Sequence, residues 1–202
     1  DIISLSLGGP FEASSQQASR SVSGAVQDAL DSGIFVVAAA GNAGPNNIDV
    51  STPANVEGVI SVGAYDRFLT PWSNSSIGSN LDPYNQLDRV WPNQKPEILA
   101  PGSYILSTVS SQKSPPYAYS TGTSDAAIFV TATLALILQD LTEKGLIDLT
   151  IEGDDRIFHV KKALAESARR IKNQMGHDIR SGYGMLDAVA WRDAVEASAY
   201  NW

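Results

Sequence analysis

The sequence predicts an α/β fold: a three-layer sandwich with a mainly parallel sheet and helices on both faces. Three observations carry this. Ile34-Phe35-Val36-Val37-Ala38-Ala39-Ala40 and Val59-Ile60-Ser61-Val62-Gly63-Ala64 are continuous apolar runs of strand length, as central parallel strands buried on both faces require. A strand over residues 2–7 is joined to the first run by one helical segment, the pattern of a parallel crossover. Residues 126–138 are apolar almost throughout, which suits a helix buried on all sides.

Taken in order, Ile2-Ile3-Ser4-Leu5-Ser6-Leu7 is a short strand closed by Gly8-Gly9-Pro10. Ser14 and Ser15 offer N-caps for a helix to about Ser32, with Ala18, Val22, Ala25, Val26, Ala29 and Leu30 at helical spacing and Gly33 as its stop. Ile105-Leu106 and neighbours read as a fourth strand, and residues 95–102 as a turn-forming connector. The segment 68–94, rich in Asn, Ser and Pro, reads as a long surface excursion. The long helix follows Ser124 and ends near Lys144-Gly145. Another starts at Asp154 or Asp155, with Ile157, Val160, Leu164, Ala168 and Ile171 inward and Arg169, Arg170 and Lys172 in its last turns, where cations suit the dipole. A final helix follows Gly182-Tyr183-Gly184. Trp72, Trp91 and Trp191 read as packing or rim aromatics.

Composition narrows the function classes. With 43% apolar residues, 202 residues make one core, not two. The formal net charge of −8 leaves nothing to neutralise phosphates, so nucleic acid is excluded as a partner. There is no cysteine, hence no disulfide framework or thiolate zinc site, and the compartment stays open. The longest apolar run is too short to span a bilayer, so no membrane span is expected. The chain begins with Asp1 in mid-strand, which reads as a cleaved product, a nicked chain or a partial one.

The chemistry lies in three segments. Thr121-Gly122-Thr123-Ser124 directly precedes the apolar helix, so Ser124 meets free N–H groups and a dipole that favour developing negative charge. Val37-Ala38-Ala39-Ala40-Gly41-Asn42 ends a central strand with an amide side chain, at the sheet edge where α/β proteins bind ligands. Lys95-Pro96-Glu97-Ile98-Leu99-Ala100-Pro101-Gly102 connects the two. Each has a plainer reading, Ser124 as a helix N-cap and Asn42 as a turn cap.

Together, and in this order, these segments resemble the subtilisin-like serine proteases (subtilases). Gly122-Thr123-Ser124 matches the family's nucleophile motif, Ala39-Ala40-Gly41-Asn42 its oxyanion motif, and Ser6-Leu7-Gly8 its substrate strand. Residues 95–102 match its Lys-Pro-Asp stretch, with Glu97 replacing Asp. Thr52-Pro53-Ala54 with residues 59–64, and Gly182-Tyr183-Gly184, match two more motifs. The resemblance implies that residues 1–202 are the C-terminal part of one subtilisin-like peptidase domain.

It further implies a serine endopeptidase working through an acyl-enzyme at Ser124, with the Asn42 amide and the Ser124 N–H binding the oxyanion. An extended polypeptide substrate would lie between Ser6, Leu7 and Gly8 on one side and Ala39, Ala40 and Gly41 on the other. Thr52-Pro53 would be a cis peptide, and a secreted or extracellular setting is favoured. The family's catalytic Asp and His precede the Ser-Leu-Gly strand, and here the only histidines, His159 and His177, follow Ser124. The Asp and His are therefore expected from an N-terminal portion of the same domain, as covalent precursor or separate chain. Where the family reads Met-Ala-x-Pro-His after the nucleophile, this chain reads Asp125-Ala126-Ala127-Ile128-Phe129. Two alternatives stand beside the protease: an inactive scaffold that binds extended peptides, and an assembly subunit.

The one cofactor candidate is a weak structural calcium near Asp82. Ser79-Asn80-Leu81-Asp82, with carbonyls near Ala54 and Val56, resembles a cation stretch of some subtilases; a turn is the commoner reading. Asp148, Glu152, Asp154 and Asp155 match no metal loop and read as a solvated loop with a helix cap. A lone chain would expose the strand edge at residues 2–7, which predicts aggregation or partner pairing.

Overall fold

Apolar runs too short for helices and too continuous for surface strands stack side by side here. The computed structural model describes residues 1–9, 16–46, 48–110, 114–146 and 153–199. Strands β1 (Ile2–Leu5), β2 (Phe35–Ala39), β3 (Ile60–Tyr65) and β4 (Ile98–Pro101) form one parallel sheet in that order. Every residue of β2 is buried, as a strand covered on both faces must be. Helix α1 (Gln16–Asp31) follows β1, packs on β2 and ends at Gly33, and buries Val26 and Leu30. Val22 and Ala25, expected on that face, are exposed. Ser14 and Ser15, the expected caps, lie outside the described residues.

Helix α2 (Thr123–Glu143) crosses the sheet and touches all four parallel strands through Ala126, Ala127, Val130, Leu134, Ile137 and Leu141. It is covered on that face only, contrary to the expectation of burial all round. Ile128, Phe129 and Leu136 are 53%, 40% and 67% exposed, an apolar stripe on the face turned away from the sheet; on its β1 side α2 is tied to the edge strand by Ser4 Oγ and Thr131 Oγ1 at 2.9 Å. Among the described residues α2 is the one helix long and apolar enough to cross a membrane; its inner face is taken by the sheet. Helices α3 (Gly153–Ser167) and α4 (Ala188–Ala199) pack on each other, with Trp191 fully buried and its Nε1 donating to the Val160 carbonyl at 3.1 Å.

Two further sequence expectations are corrected. The fourth parallel strand is Ile98–Pro101, read above as connector; Ile105–Thr108 (β5) instead pairs antiparallel with Tyr117–Ser120 (β6) in a separate hairpin. Ile98-Leu99-Ala100 is fully buried between β3 and the 182–186 segment, whereas β5 and β6 are largely exposed, so burial decided which run joined the sheet. Helix α3 stops at Ser167, before Arg169 and Arg170, because Arg169 exchanges two backbone hydrogen bonds with Met185. Helix propensity gave way to a bridge that closes the core.

Two ionic clusters lock the loops beneath the sheet. Arg89 meets Asp49 through two bonds of 2.9 and 2.7 Å and also donates to the carbonyls of Ser79 and Asn55, pinning the 68–94 excursion. The Glu97 carboxylate lies 2.8 Å from both Lys95 Nζ and Lys161 Nζ, and both ammoniums donate to the carbonyls of Glu57 and Val59. Burial pushes Lys95 down to about 7 against the raising influence of Glu97, and lowers Lys161 in the same way.

Candidate active site

The last paired residues of the first two strands are Leu5 and Ala38, and beyond them the chains separate at their carboxyl ends. Ser6, Leu7 and Gly8 run exposed from β1. Ala39 and Ala40 stay buried, and Gly41 turns with φ 107°. That turn excludes any other residue: a Cβ on Gly41 would run into the hydroxyls of Ser51 and Ser76. Gly9 and Thr52 exchange two backbone hydrogen bonds, which closes the floor beside a cis Thr52–Pro53 bond of the kind the resemblance implied.

Over this gap stands the N-terminus of α2. Thr123 binds Asn42 twice: its backbone N–H and its Oγ1–H both donate to Asn42 Oδ1 at 2.9 Å. Thr123 Oγ1 also accepts the Gly41 N–H at 3.0 Å. A backbone N–H can only donate, so this contact fixes which end of the Asn42 amide is oxygen. Nδ2 is thereby turned the other way, toward Gly122, where it lies 3.3 Å from the position a Cβ would take. Among the described residues, neither Asn42 Nδ2 nor the Ser124 backbone N–H donates a hydrogen bond. Two unspent donors thus sit at the start of one helix, where the dipole favours an anion.

Ser124 is half-buried, and its Oγ donates to the Ser6 carbonyl at 3.1 Å; Ser6 Oγ returns a bond to the Ser124 carbonyl at 3.1 Å. The structure thus gathers Ser124, Asn42, Ser6 and Gly41 at one place, with Leu7, Gly8, Ala39 and Ala40 beside them. The two histidines serve elsewhere. His177 Nε2 meets the Pro96 carbonyl at 2.9 Å and its ring packs on Tyr183; burial lowers its pKa. His159 lies on α3 with its ring against Phe158.

Sequence reading missed two features. Thr123 reads as part of a motif, but its double grip on Asn42 is visible only once β2 and α2 are brought together. Ser120 Oγ donates to Asp125 Oδ2 at 2.9 Å, which fixes the carboxylate next to Ser124; an acidic residue directly after the candidate nucleophile was the only signal in the sequence. Near the calcium candidate, Asp82 Oδ1 accepts the N–H groups of Tyr84 and Asn85, the geometry of a turn. The carbonyls of Ser79 and Asn55 bind the Arg89 guanidinium. Among the described residues no three His, Asp or Glu side chains gather to hold a metal. Asp148 and Glu152 lie outside the described residues.

Residues 1–184 match the sequence profile of the Subtilase family. The serine protease AprX of Bacillus subtilis (strain 168) is 34% identical over 170 residues, covering 77% of this chain and 38% of that protein. Subtilisin DY of Bacillus licheniformis is 37% identical over 140 residues, covering 68% of this chain and 42% of that protein. The structure of the patellamide maturation protease PatA superposes with a TM-score of 0.69 at 26% identity, over 97% of this chain and 63% of that one. The chain therefore spans about two-fifths of the length of the curated relatives it matches.

Proposed function

This chain belongs to the subtilase family, and from that premise we propose that it supplies the nucleophile and oxyanion hole of a serine endopeptidase. Residues 1–202 are read as the C-terminal part of a single peptidase domain, completed by an N-terminal portion that brings the catalytic Asp and His.

One observation carries the reading. Asn42 is held by its oxygen, so its Nδ2 and the Ser124 N–H are two unengaged donors at a helix N-terminus beside a serine hydroxyl. Donors preset for negative charge stabilise the tetrahedral intermediate of acyl transfer without reorganising as it forms. In the steps that follow, Ser124 Oγ leaves the Ser6 carbonyl, loses its proton to the incoming histidine and attacks the scissile carbonyl. The carbonyl oxygen becomes an oxyanion between Asn42 Nδ2 and the Ser124 N–H. Collapse expels the amine with the proton from histidine, and water then hydrolyses the acyl-enzyme by the same route. Releasing Ser124 from Ser6 also frees the Ser6 carbonyl to accept an N–H from the substrate strand lying against Ser6-Leu7-Gly8.

The inactive peptide-binding scaffold is the second reading, favoured by a Ser124 hydroxyl bound to a carbonyl oxygen, which is no base at neutral pH, rather than to a nitrogen. Single-turnover acylation by an activated ester separates the two. A burst matched to the amount of Ser124, abolished in Ser124→Ala, supports the protease; a linear trace unchanged in Ser124→Ala supports the scaffold.

A further inference from the structure

Ser124 and Asp125 are consecutive in α2, so their side chains leave the helix about 100° apart. Ser124 faces the β1 side, where its hydroxyl meets Ser6. Asp125 faces the hairpin side, where its Oδ2 is held by Ser120 at the end of β6. Gly122, at the start of α2, has its backbone seated over Gly102 just past β4: a Cβ on Gly102 would come within 2.7 Å of the Gly122 carbonyl. The point where a Cβ on Gly122 would sit is 3.3 Å from Asn42 Nδ2 and 3.7 Å from Asp125 Oδ2. An amide donor and a carboxylate thus look across one small gap beside the nucleophile.

Resting on the protease reading, we infer that Asp125 selects substrates with a lysine or arginine directly after the scissile bond. The acyl part of the peptide occupies the β1 side, along Ser6-Leu7-Gly8. The leaving part therefore departs toward the hairpin, past Asp125. Among the described residues no lysine or arginine pairs with Asp125, and the one hydrogen-bond partner of its carboxylate is the neutral hydroxyl of Ser120. A carboxylate so placed opposes the oxyanion forming on Asn42. A cation on the leaving residue cancels that opposition and pairs with Asp125 directly, while an acidic residue adds to it. The preference therefore grows as the oxyanion forms and falls on kcat as well as KM. Ser120 is a positioning residue, holding the carboxylate toward the leaving side.

The test uses peptides identical except for Lys, Met or Glu after the scissile bond, presented to the intact protein as its host makes it. Lysine is expected to exceed glutamate in kcat/KM by about tenfold or more, for a half-buried pair in low salt. High salt shrinks the ratio. Asp125→Asn, which keeps the Ser120 contact, brings the ratio near one, and Asp125→Lys reverses it. An unchanged ratio in Asp125→Asn, or no charge preference in the parent, overturns the inference. If no peptide is cut and no burst is seen, the protease reading fails by itself. The same peptides are then compared by binding: lysine above glutamate, reversed in Asp125→Lys, upholds the role of Asp125, and equal binding overturns it.

Discussion

Among single residues, Asn42 and its anchor Thr123 decide how the site is set. Replacing Asn42 by Ala removes one of the two donors proposed for the oxyanion and is expected to lower kcat by about 10²–10³-fold with little change in KM, the magnitude typical of losing one such amide donor in a subtilisin-type site. Thr123→Val removes the hydroxyl that joins Gly41 N–H to Asn42 Oδ1 but keeps the backbone bond. A smaller loss of kcat, roughly tenfold, is expected from steady-state kinetics, because the amide is loosened rather than removed. Ser124 and Asn42 were legible in the sequence because short motifs place them at a strand end and a helix start. Thr123 as anchor, and Ser120 as the holder of Asp125, were not, since each acts through a contact between segments that the sequence does not pair.

At the scale of elements, burial overrode local pattern twice, in the choice of Ile98–Pro101 as the fourth strand and in the end of α3 at Ser167. Both segments flank residues 182–186, whose backbone bonds to Leu99 and Arg169 no periodicity could foretell. The ionic cluster under β3 has a measurable signature. Lys95 is lowered to about 7 by burial, whereas an exposed lysine titrates near 10.4. Between those values the unfolded chain binds more protons than the folded one, so stability rises with pH from about 7 to 10. Urea midpoints at stepped pH should climb through this window; a flat or falling curve contradicts a lysine held this way. Glu97→Gln removes the carboxylate that both buried lysines share, pushes both further toward the neutral amine and is expected to lower stability at pH 7, read from the same titrations.

For the molecule as a whole, the sequence revealed the α/β layers and three of the four parallel strands, because continuous apolar runs report burial on both faces. It did not reveal the uncovered stripe on α2, since Ile128, Phe129 and Leu136 look the same in sequence whether a neighbour covers them or not. That stripe and the edge strand β1 are uncovered among the described residues, and the N-terminal portion is read to dock against them. The chain alone is expected to self-associate in sedimentation, and Ile128→Lys with Leu136→Lys to suppress this while abolishing complementation by that portion. A lone parent chain that stays monomeric contradicts the docking reading. The most direct test of the central claim is intact-mass analysis of the native protein after a fluorophosphonate probe. One adduct is expected, mapped to Ser124, in material that also contains the histidine-bearing N-terminal portion. No adduct from such material would contradict it.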